Sequence, residues 1–259
     1  MSEKNLFQNE KLLNIKKYKK NMTWVNLSHL WLKEAFKNRY MYNFECLGRP
    51  IIQTPIDMIA LHEIVWNVKP DLIIETGIAH GGSLIYNASL LALLDVCDGI
   101  NSNKKIDPNI SKRKVIGIDI DIRQHNKIEI QNNPMHSRIM LIEGSSIDKN
   151  VIVKIEKEVK KYKKILVCLD SNHTTEHVAA ELNAYSKFVS KDSYCIVFDT
   201  IVNDMPKSIF KDRPWGPADN PKIAVKNFLK NNNNFIVDEE INNKLMISVA
   251  PDGYLKRIK

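Results

Sequence analysis

Two clusters of polar residues in this 259-residue sequence combine side chains that can bind a charged ligand and move a proton. The first is the segment Glu75–Ser83, with the sequence ETGIAHGGS, which holds three of the chain's nine glycines. The second contains Asp170 and His173, and Asp199 follows later in the chain. Carboxylate oxygens suit Mg²⁺, and a histidine with a pKa of about 6.5 can accept a proton at neutral pH. These residue types predict a site that holds a charged ligand beside a general base.

The position of the segment Glu75–Ser83 indicates what it binds. It follows a short apolar strand, Asp71–Glu75, and leads into a predicted helix, Gly81–Val96, which is where open α/β sheets bind ligands. Its spacing, G-x-x-x-G-G, differs from the dinucleotide pattern G-x-G-x-x-G, and the leading glutamate would repel a pyrophosphate. An acid at this place suits the cationic amino group of S-adenosylmethionine, so we expect that cofactor. The alternative is a tight strand-to-helix turn without a ligand.

Two later segments supply further candidate contacts for a nucleoside. Asp119 lies at the end of the second predicted strand, where an acid can accept both hydroxyls of a ribose, and Asp121 is the alternative. Ser145 and Ser146 follow the third strand and are placed to bond an adenine edge, although Ser146 or Asp148 could instead cap the next helix. The predicted cofactor contacts are Glu75, Gly77, His80, Gly81, Gly82, Ser83, Asp119, Ser145, Ser146 and Asp170.

Asp170 and Asp199 end the fourth and fifth predicted strands, whose tips face the transferred methyl group. Together they are predicted to hold one Mg²⁺, which makes a bound hydroxyl more acidic. His173 and Asp170 are the predicted catalytic residues, with His173 as the base, and His177 is expected to orient His173 or the substrate. Methyl transfer from an activated sulfonium needs little beyond alignment and deprotonation. The alternative is that Asp170 caps the following helix and both histidines lie on its polar face.

An alternation of apolar strands and helices from residue 71 onward must position these side chains. Strands that are apolar throughout and alternate with helices predict a doubly wound α/β sheet, which is mostly parallel. A last pair of strands after helix Pro221–Leu229 is expected to complete seven strands, one of them antiparallel. The predicted strands are Asp71–Glu75, Val115–Ile120, Ile139–Glu143, Ile165–Leu169, Tyr194–Phe198, Phe235–Val237 and Leu245–Val249. The intervening helices are Gly81–Val96, Arg123–Gln131, Lys149–Lys161 and Thr175–Val189.

The chain before the sheet and one long connection complete the predicted organisation. Residues 1–53 are expected to form a helical accessory segment, with a helix at Leu27–Phe36 and irregular structure at Asn38–Pro50. The cofactor-binding domain then spans residues 54–259 and opens on a helix with Thr54 as its N-cap. The segment Thr200–Asn220 is too long for an ordinary connection and is predicted to be a lid or binding loop.

The charge, the apolar runs and the cysteines of the chain limit the classes of protein to which it can belong. The net charge is +8, but the lysines are scattered and are not interleaved with aromatic residues, so we expect solvated faces rather than a nucleic-acid surface. An anionic substrate, such as a phosphorylated or nucleotide-linked sugar, is the other explanation for this charge. No apolar run approaches the roughly 18 residues that a membrane helix needs. The segment Met1–Lys20 is polar and has no apolar h-region, so we expect no secretory signal there. The four cysteines are widely separated, which predicts free thiols in a reducing cytoplasm.

Several blocks of sequence between Gly48 and Leu255 occur in a recognisable order. They are GRPIIQTPIDMIALHEIVW, KPDLIIETGIAHGGSLIYNASLLALL, VIGIDIDIRQHN, IEGSSID, LDSNHTTEHVAAELNAYSKFV, RPWGPADNPKIAVKNFL and PDGYL. In this order they resemble the cephalosporin hydroxylase / rhamnosyl O-methyltransferase family, whose members are built as S-adenosylmethionine-dependent methyltransferases. The resemblance implies homo-oligomers, and substrates that are sugars or glycosylated small molecules, including surface-polysaccharide precursors. It also implies S-adenosylmethionine at Glu75, Gly77, Gly81, Gly82 and Asp119, Mg²⁺ at Asp170 and Asp199, and a base at His173.

One position departs from the family pattern. The family usually has a glutamate–aspartate pair at the tip of the fifth strand, whereas this chain has Phe198-Asp199. One expected carboxylate ligand is therefore missing. Either Thr200 or water completes a weaker metal site, or the chain works without metal. The leading hypothesis is O-methylation of a sugar hydroxyl; an oxygenase and a non-catalytic binding protein with the same fold are the alternatives.

Overall fold

A seven-stranded sheet forms the centre of the computed structural model, which describes residues 3–107 and 110–259. The strands are β1 (Phe44–Cys46), β2 (Arg49–Ile51), β3 (Leu72–Thr76), β4 (Lys114–Asp119), β5 (Ile139–Glu143), β6 (Ile165–Leu169), β7 (Tyr194–Val197), β8 (Phe235–Val237) and β9 (Tyr254–Arg257). The helices are α1 (Glu3–Tyr18), α2 (Met22–Lys37), α3 (Pro55–Val68), α4 (Gly82–Ser102), α5 (Gln124–Asn132), α6 (Lys149–Val159), α7 (Thr175–Tyr185), α8 (Pro221–Asn231) and α9 (Glu239–Leu245). Short 3₁₀ turns lie at Tyr40–Asn43, Pro134–Arg138, Ser186–Phe188, Thr200–Asp204 and Lys207–Phe210.

The order of strands in the main sheet is β5-β4-β3-β6-β7-β9-β8. The five strands β5, β4, β3, β6 and β7 pair in parallel, in that order, and β9 runs antiparallel to both of its neighbours, β7 and β8. Leu72 and Ile74 pack on one face of the sheet and Ile73 on the other, and all three are fully buried. Helices cover both faces, which explains why these strands are apolar throughout. The predicted doubly wound fold with one antiparallel strand is confirmed.

The C-terminal end of the sheet differs from the prediction. The segment Leu245–Val249, predicted to be a strand, consists of the last residue of helix α9 and the loop after it, and the last strand is β9 instead. Asp238 caps α9 by accepting hydrogen bonds from the backbone of the first helical turn. Leu245 and Val249 are buried all the same, so their apolar character reflects burial in the core rather than a strand.

The chain before the sheet is more ordered than predicted. The segment Asn38–Pro50, expected to be irregular, contains a 3₁₀ turn and the antiparallel hairpin β1–β2. The hairpin turns through Leu47 and Gly48, both with positive φ, and each strand has only three residues. Strands this short carry no alternating pattern that a sequence could reveal. Helix α2 begins at Met22, where Asn21 provides the N-cap, rather than at Leu27.

Helix α3 begins where the sequence predicted. The Thr54 side chain accepts a hydrogen bond from the Asp57 amide, and Pro55 occupies the first helical position. The Asp57 carboxylate is buried and accepts hydrogen bonds from Thr54, the Ser248 hydroxyl, the Val249 amide and the Tyr254 hydroxyl. One buried acid therefore joins the start of α3 to the end of the chain.

Helix α4 corrects one expectation from composition. It has 21 residues, and an 18-residue window within it has a mean hydropathy of 1.4, so among the described residues it is long and apolar enough to cross a membrane. Leu84, Ala88 and Leu91 are fully buried and pack into the core beside the sheet. Its apolar composition is therefore that of a core helix in a doubly wound fold.

Candidate active site

The glycine loop joins the tip of β3 to the start of α4. Gly77 and Gly81 have φ values of +79° and +84°, which glycine adopts at little cost. A Cβ at Gly77 would overlap the backbone of Asp170, and one at Gly82 would overlap the backbone of Pro50. Gly77 and Gly82, which have no Cβ, therefore allow neighbouring backbone segments to pack directly against the loop. They bring the tip of β6 and the hairpin β1–β2 against the loop.

Glu75 is buried just beneath this loop. Its carboxylate accepts hydrogen bonds from the Ser83 hydroxyl and, at 2.8 Å, from the Asn87 amide. Burial raises the pKa of Glu75 to about 7, and the two hydrogen bonds offset only part of that rise. Glu75 lines a small inner cavity of about 20 Å³ together with Ser83 and Asp170. A cation placed beside a buried acid stabilises its charged form. The predicted contact between Glu75 and an ammonium group would provide such a cation.

Asp119 orders the glycine loop from the neighbouring strand. Its carboxylate accepts hydrogen bonds from the backbone amides of Ile78 at 2.9 Å and Ala79 at 3.4 Å. It also lines the main cleft, as do Gly77, Gly82, Ser83 and the half-buried His80. The alternative, Asp121, is exposed and does not line this cleft. Gly81 stands at the N-cap of α4.

The serines after β5 have other partners. The Ser146 hydroxyl lies 3.0 Å from His177 Nε2, and the Ser146 carbonyl accepts a hydrogen bond from Tyr185. Asp148, not Ser146, caps helix α6. Neither Ser145 nor Ser146 lines the main cleft, so their predicted contact with adenine stays a prediction.

Three side chains meet at the tips of β6 and β7. Ligand atoms of Asp170, His173 and Asp199 all lie within 4.8 Å of one another. His173 Nε2 is 3.2 Å from Asp199 Oδ2. The adjacent strands set this spacing, because the amide of Phe198 donates to the carbonyl of Leu169. Burial raises the pKa of Asp170 well above its ordinary value, and the nearby carboxylates of Asp199 and Glu75 raise it further.

An imidazole and two carboxylates in this arrangement suit two kinds of chemistry. Like charges held close together in a half-buried place favour a bound cation or a bound proton. In a neutral imidazole whose Nε2–H donates to Asp199, Nδ1 is left as a proton acceptor. Thr174 stands at the N-cap position of helix α7 without a side-chain capping hydrogen bond, and the Thr175 amide donates to Asp219. Asp170 therefore does not cap this helix, and the alternative structural role for Asp170 is wrong.

The structure separates two predicted supporting residues from this group. His177 Nε2 lies near the hydroxyls of Ser146 and Ser171, and 3.6 Å from the buried Glu181 carboxylate, rather than at His173. The hydroxyl of Thr200 is fully buried and donates to the carbonyl of Pro251. Neither side chain therefore lies where it was predicted to act.

The main cleft has a volume of about 440 Å³ and opens above the glycine loop and the strand tips. The predicted lid Thr200–Asn220 contributes Trp215, whose ring meets His173 edge to face at 4.7 Å between centroids, and Arg213, which lies over Trp215. Arg39, Tyr42 and Gln53, which precede helix α3, also line the cleft. Sequence reasoning missed these three residues, because only their position after the chain has folded places them at the cleft.

Comparisons with known proteins agree with this geometry. A family model described as Rhamnosyl O-methyltransferase/CmcI matches residues 38–258. The rhamnosyl O-methyltransferase of Mycobacterium tuberculosis is 27% identical over 206 residues, covering 78% of this chain and 73% of that protein. The protein of the same name from Mycobacterium leprae is 24% identical over 181 residues, covering 68% and 70%.

Among solved structures, two of CmcI resemble the fold. An apo structure covers 84% of this chain and 77% of its own, with a TM-score of 0.54 and 16% sequence identity. A CmcI structure with Mg and SAM gives the same score and identity, and covers 84% and 78%. Identities this low support the fold alone, whereas the family match spans most of the chain. The chain therefore belongs to the rhamnosyl O-methyltransferase/CmcI family.

Proposed function

We propose that this chain transfers the methyl group of S-adenosylmethionine to a hydroxyl of a sugar or of a glycosylated small molecule. One observation carries the proposal: the glycine loop, Asp119 and the group Asp170–His173–Asp199 all open into one cleft. A cofactor site and an acceptor site must share such a cleft, because the methyl group passes directly between them. The mycobacterial relatives, which carry the name rhamnosyl O-methyltransferase, support a sugar as the acceptor.

On the cofactor side, the proposed contacts are those of the loop and of two strand tips. Glu75 would pair with the ammonium group, and Asp119 would accept the ribose hydroxyls beside the loop amides that it already holds. The N-terminus of α4 would face the carboxylate of the methionine part. The remaining proposed contacts are Gly77, His80, Gly81, Gly82, Ser83, Ser145, Ser146 and Asp170.

On the acceptor side, His173 is the proposed base. The acceptor oxygen forms a bond to the methyl carbon while the carbon–sulfur bond of the sulfonium breaks, and the hydroxyl proton passes to the imidazole. Asp199 would keep the imidazole oriented and would stabilise its protonated form. Trp215 excludes water from one side of the ring. Most of the acceleration would come from alignment, because the sulfonium is already activated.

The residues at the strand tips also fit a divalent cation such as Mg²⁺. Asp170 and Asp199 would hold it, and their close carboxylates gain from its charge. A buried amide oxygen of Gln53, which has no hydrogen-bond partner, is a further oxygen donor near Asp170. When bound, the cation would make a coordinated hydroxyl more acidic.

The outer part of the cleft suits a sugar that carries an anionic group, for example a nucleotide-linked sugar. Tyr42 and Trp215 offer aromatic rings, over which lie the guanidinium groups of Arg39 and Arg213. Within residues 3–107 and 110–259, neither arginine forms an ion pair with a carboxylate. Arginine is the side chain best suited to phosphate.

Calorimetric titration of S-adenosylhomocysteine, with and without Mg²⁺, tests the cofactor site. Saturable binding is expected in both conditions. A methyl-transfer assay on rhamnosides and nucleotide-linked sugars, read by mass spectrometry, then tests the reaction. Absence of any saturable binding would refute the proposal, and binding without transfer to any hydroxyl would favour a non-catalytic protein.

Three broader expectations remain proposals. The four cysteines are all free, which supports work in a reducing compartment such as the cytoplasm. The homo-oligomer implied by the family can be measured by light scattering. The accessory segment, residues 1–53, would shape the acceptor side of the cleft, because Arg39 and Tyr42 already line it. The proposed partner of the protein is a small-molecule substrate, rather than a nucleic acid or a membrane.

A further inference from the structure

Gln53 is a buried polar residue to which neither sequence reasoning nor the family resemblance gave a role. It is only 7% exposed, and its side-chain oxygen Oε1 is buried without a hydrogen-bond partner. An unsatisfied buried amide oxygen costs about 1–3 kcal/mol, so such a group points to a missing partner. Gln53 lines both the main cleft and the small inner cavity.

The backbone on both sides fixes the position of Gln53. On its N-terminal side, Pro50 packs so closely on Gly82 that a Cβ there would overlap the Pro50 backbone. On its C-terminal side, Thr54 caps helix α3 with its own side chain. The side chain of Gln53 thus projects from a short segment held between two fixed points, which is how a ligand residue is usually supported.

Gln53 contacts one of the predicted metal ligands, Asp170, and lines the main cleft together with the other, Asp199. Its side-chain nitrogen Nε2 donates to Asp170 Oδ2 at 3.4 Å. Phe198, which stands where the family usually has a glutamate, lines the same inner cavity as Gln53 and Asp170. Phe198 is 6% exposed and belongs to the hydrophobic core, so it offers no oxygen to a cation.

We propose that Gln53 supplies the oxygen ligand that Phe198 removed, so that a divalent cation is held by Asp170, Asp199 and the side-chain carbonyl of Gln53. The terminal amide of glutamine rotates over a shallow, roughly two-fold torsion, and half a turn exchanges its oxygen and nitrogen. That rotation would place Oε1 near Asp170 Oδ2, where Nε2 now lies. Neighbouring oxygens around an octahedral Mg²⁺ with bonds of about 2.1 Å are about 3 Å apart, close to the present separation.

This inference rests on the proposed function, since it assigns a ligand to the cation site proposed there. It also has a consequence for affinity. A neutral amide oxygen replaces a charged carboxylate, so the site carries one negative charge fewer than the family pattern and holds its cation less tightly. His173 remains free to act as the base, because the third ligand comes from the segment before α3.

The test is Mn²⁺ binding, followed by the electron paramagnetic resonance signal of free Mn²⁺ and by calorimetry with Mg²⁺. Gln53→Leu and Gln53→Met both remove the oxygen at similar volume, and Gln53→Glu restores a carboxylate. Gln131→Leu, at an exposed position of α5 that does not line the main cleft, is the control. Circular dichroism and the melting temperature establish that each variant folds.

We expect Gln53→Leu and Gln53→Met to weaken Mn²⁺ binding at least ~10-fold, the scale of losses at metal sites. Gln53→Glu should strengthen it, and Gln131→Leu should leave it unchanged. Unchanged Mn²⁺ affinity in both folded apolar variants would overturn the inference, as would a wild-type protein that binds no Mn²⁺.

S-adenosylhomocysteine affinity, measured without metal, separates this inference from the proposed function. Cofactor binding that persists in every Gln53 variant while Mn²⁺ binding falls supports the inference. A loss of cofactor binding with Mn²⁺ binding unchanged would mean that Gln53 contacts the cofactor and would overturn the inference. A wild-type protein that binds Mn²⁺ through Gln53 but binds no S-adenosylhomocysteine would refute the proposed function alone.

Discussion

His173 Nε2 lies 3.2 Å from Asp199 Oδ2, although the two residues follow different strands. The contact depends on the parallel pairing of β6 with β7, which sets the two strand tips side by side. It orients the imidazole before any substrate enters. If the reaction uses His173 as its base, this one contact selects which ring nitrogen receives the proton.

Replacing His173 with alanine should lower turnover by about 10²–10⁴-fold, the usual contribution of a general base, because the acceptor hydroxyl loses its proton acceptor. Affinity for S-adenosylhomocysteine should stay nearly unchanged, which calorimetry measures. His136→Ala is the control, since His136 is exposed and does not line the main cleft. Turnover that survives in His173→Ala would contradict the assignment.

Replacing Glu75 with alanine should mainly weaken cofactor binding, because a buried acid that pairs with the ammonium group is lost. Affinity for S-adenosylhomocysteine, measured by calorimetry, should fall by at least ~10-fold, since one charge-assisted contact contributes about 1.5–3 kcal/mol. Affinity equal to that of the wild type would show that Glu75 has a structural role only.

Stability should depend on pH through the same residue. Burial raises the pKa of Glu75 to about 7 from an ordinary value of 4.5. The folded state then holds the proton more tightly, so this stabilising contribution is full below pH 4.5 and is lost as the pH rises through about 7. The free energy of unfolding of the wild type, measured with urea, should therefore fall between about pH 5 and about pH 8. This group contributes about 3 kcal/mol at most to that fall. Glu75→Gln should lack that part of the slope; an identical slope in both proteins would argue against the raised pKa.

Two glycines with the same backbone conformation provide a matched comparison. Gly48 and Gly77 have φ values of +78° and +79°, but nothing lies within 4 Å of a Cβ at Gly48, whereas one at Gly77 would overlap Asp170. Gly48→Ala should cost about 1–2 kcal/mol from conformation alone. Gly77→Ala should lower the melting temperature much further and should abolish cofactor binding. Equal losses in the two variants would mean that the loop and the β6 tip are not in contact.

The anionic part of the acceptor is tested at the outer cleft. Arg213→Gln and Arg39→Gln should each raise KM for a phosphorylated or nucleotide-linked sugar by about 10-fold, because one charge-assisted contact is lost. KM for a neutral glycoside should hardly change. Lys207→Gln, in the same connection but outside the cleft lining, is the control. Equal KM changes for charged and neutral acceptors would argue against a phosphate contact.

The parts of the site that the sequence revealed are those at strand tips. Asp119, Asp170 and Asp199 each lie at or just after the end of an apolar strand, and parallel strands must place such residues at one edge of the sheet. Gln53 gave no comparable signal, because it lies in a short connection without periodic pattern. Its importance depends on the packing of Pro50 against Gly82, which no local sequence feature encodes.

Two predictions, the strand at Leu245–Val249 and the role of His177, were wrong because a sequence pattern does not show which neighbours a side chain meets in the fold. Leu245 lies at the buried end of a helix and Val249 in a buried loop, which explains why both are apolar. Apolar residues in a buried loop and in a buried strand look alike in a sequence. His177 stands one turn after His173 on the sequence, yet the helix that begins at Thr175 directs it toward Ser146 and Glu181. The spacing of residues along the sequence predicted helix α7. It did not predict which residues each face of that helix would contact.

The shared hydrogen bonds of Asp57 also have a meaning for how the chain is made. A ribosome releases Asp57 long before Ser248 and Tyr254, which are its partners near the end of the chain. During synthesis the start of α3 therefore carries a carboxylate that cannot yet be buried, and the segment bearing Gln53 just before it lacks its final support. The cleft can be completed only after Ser248 and Tyr254 have left the ribosome, so a nascent chain that still lacks them should not bind cofactor. A truncation that removes Tyr254 should likewise loosen the packing at the entrance to the site.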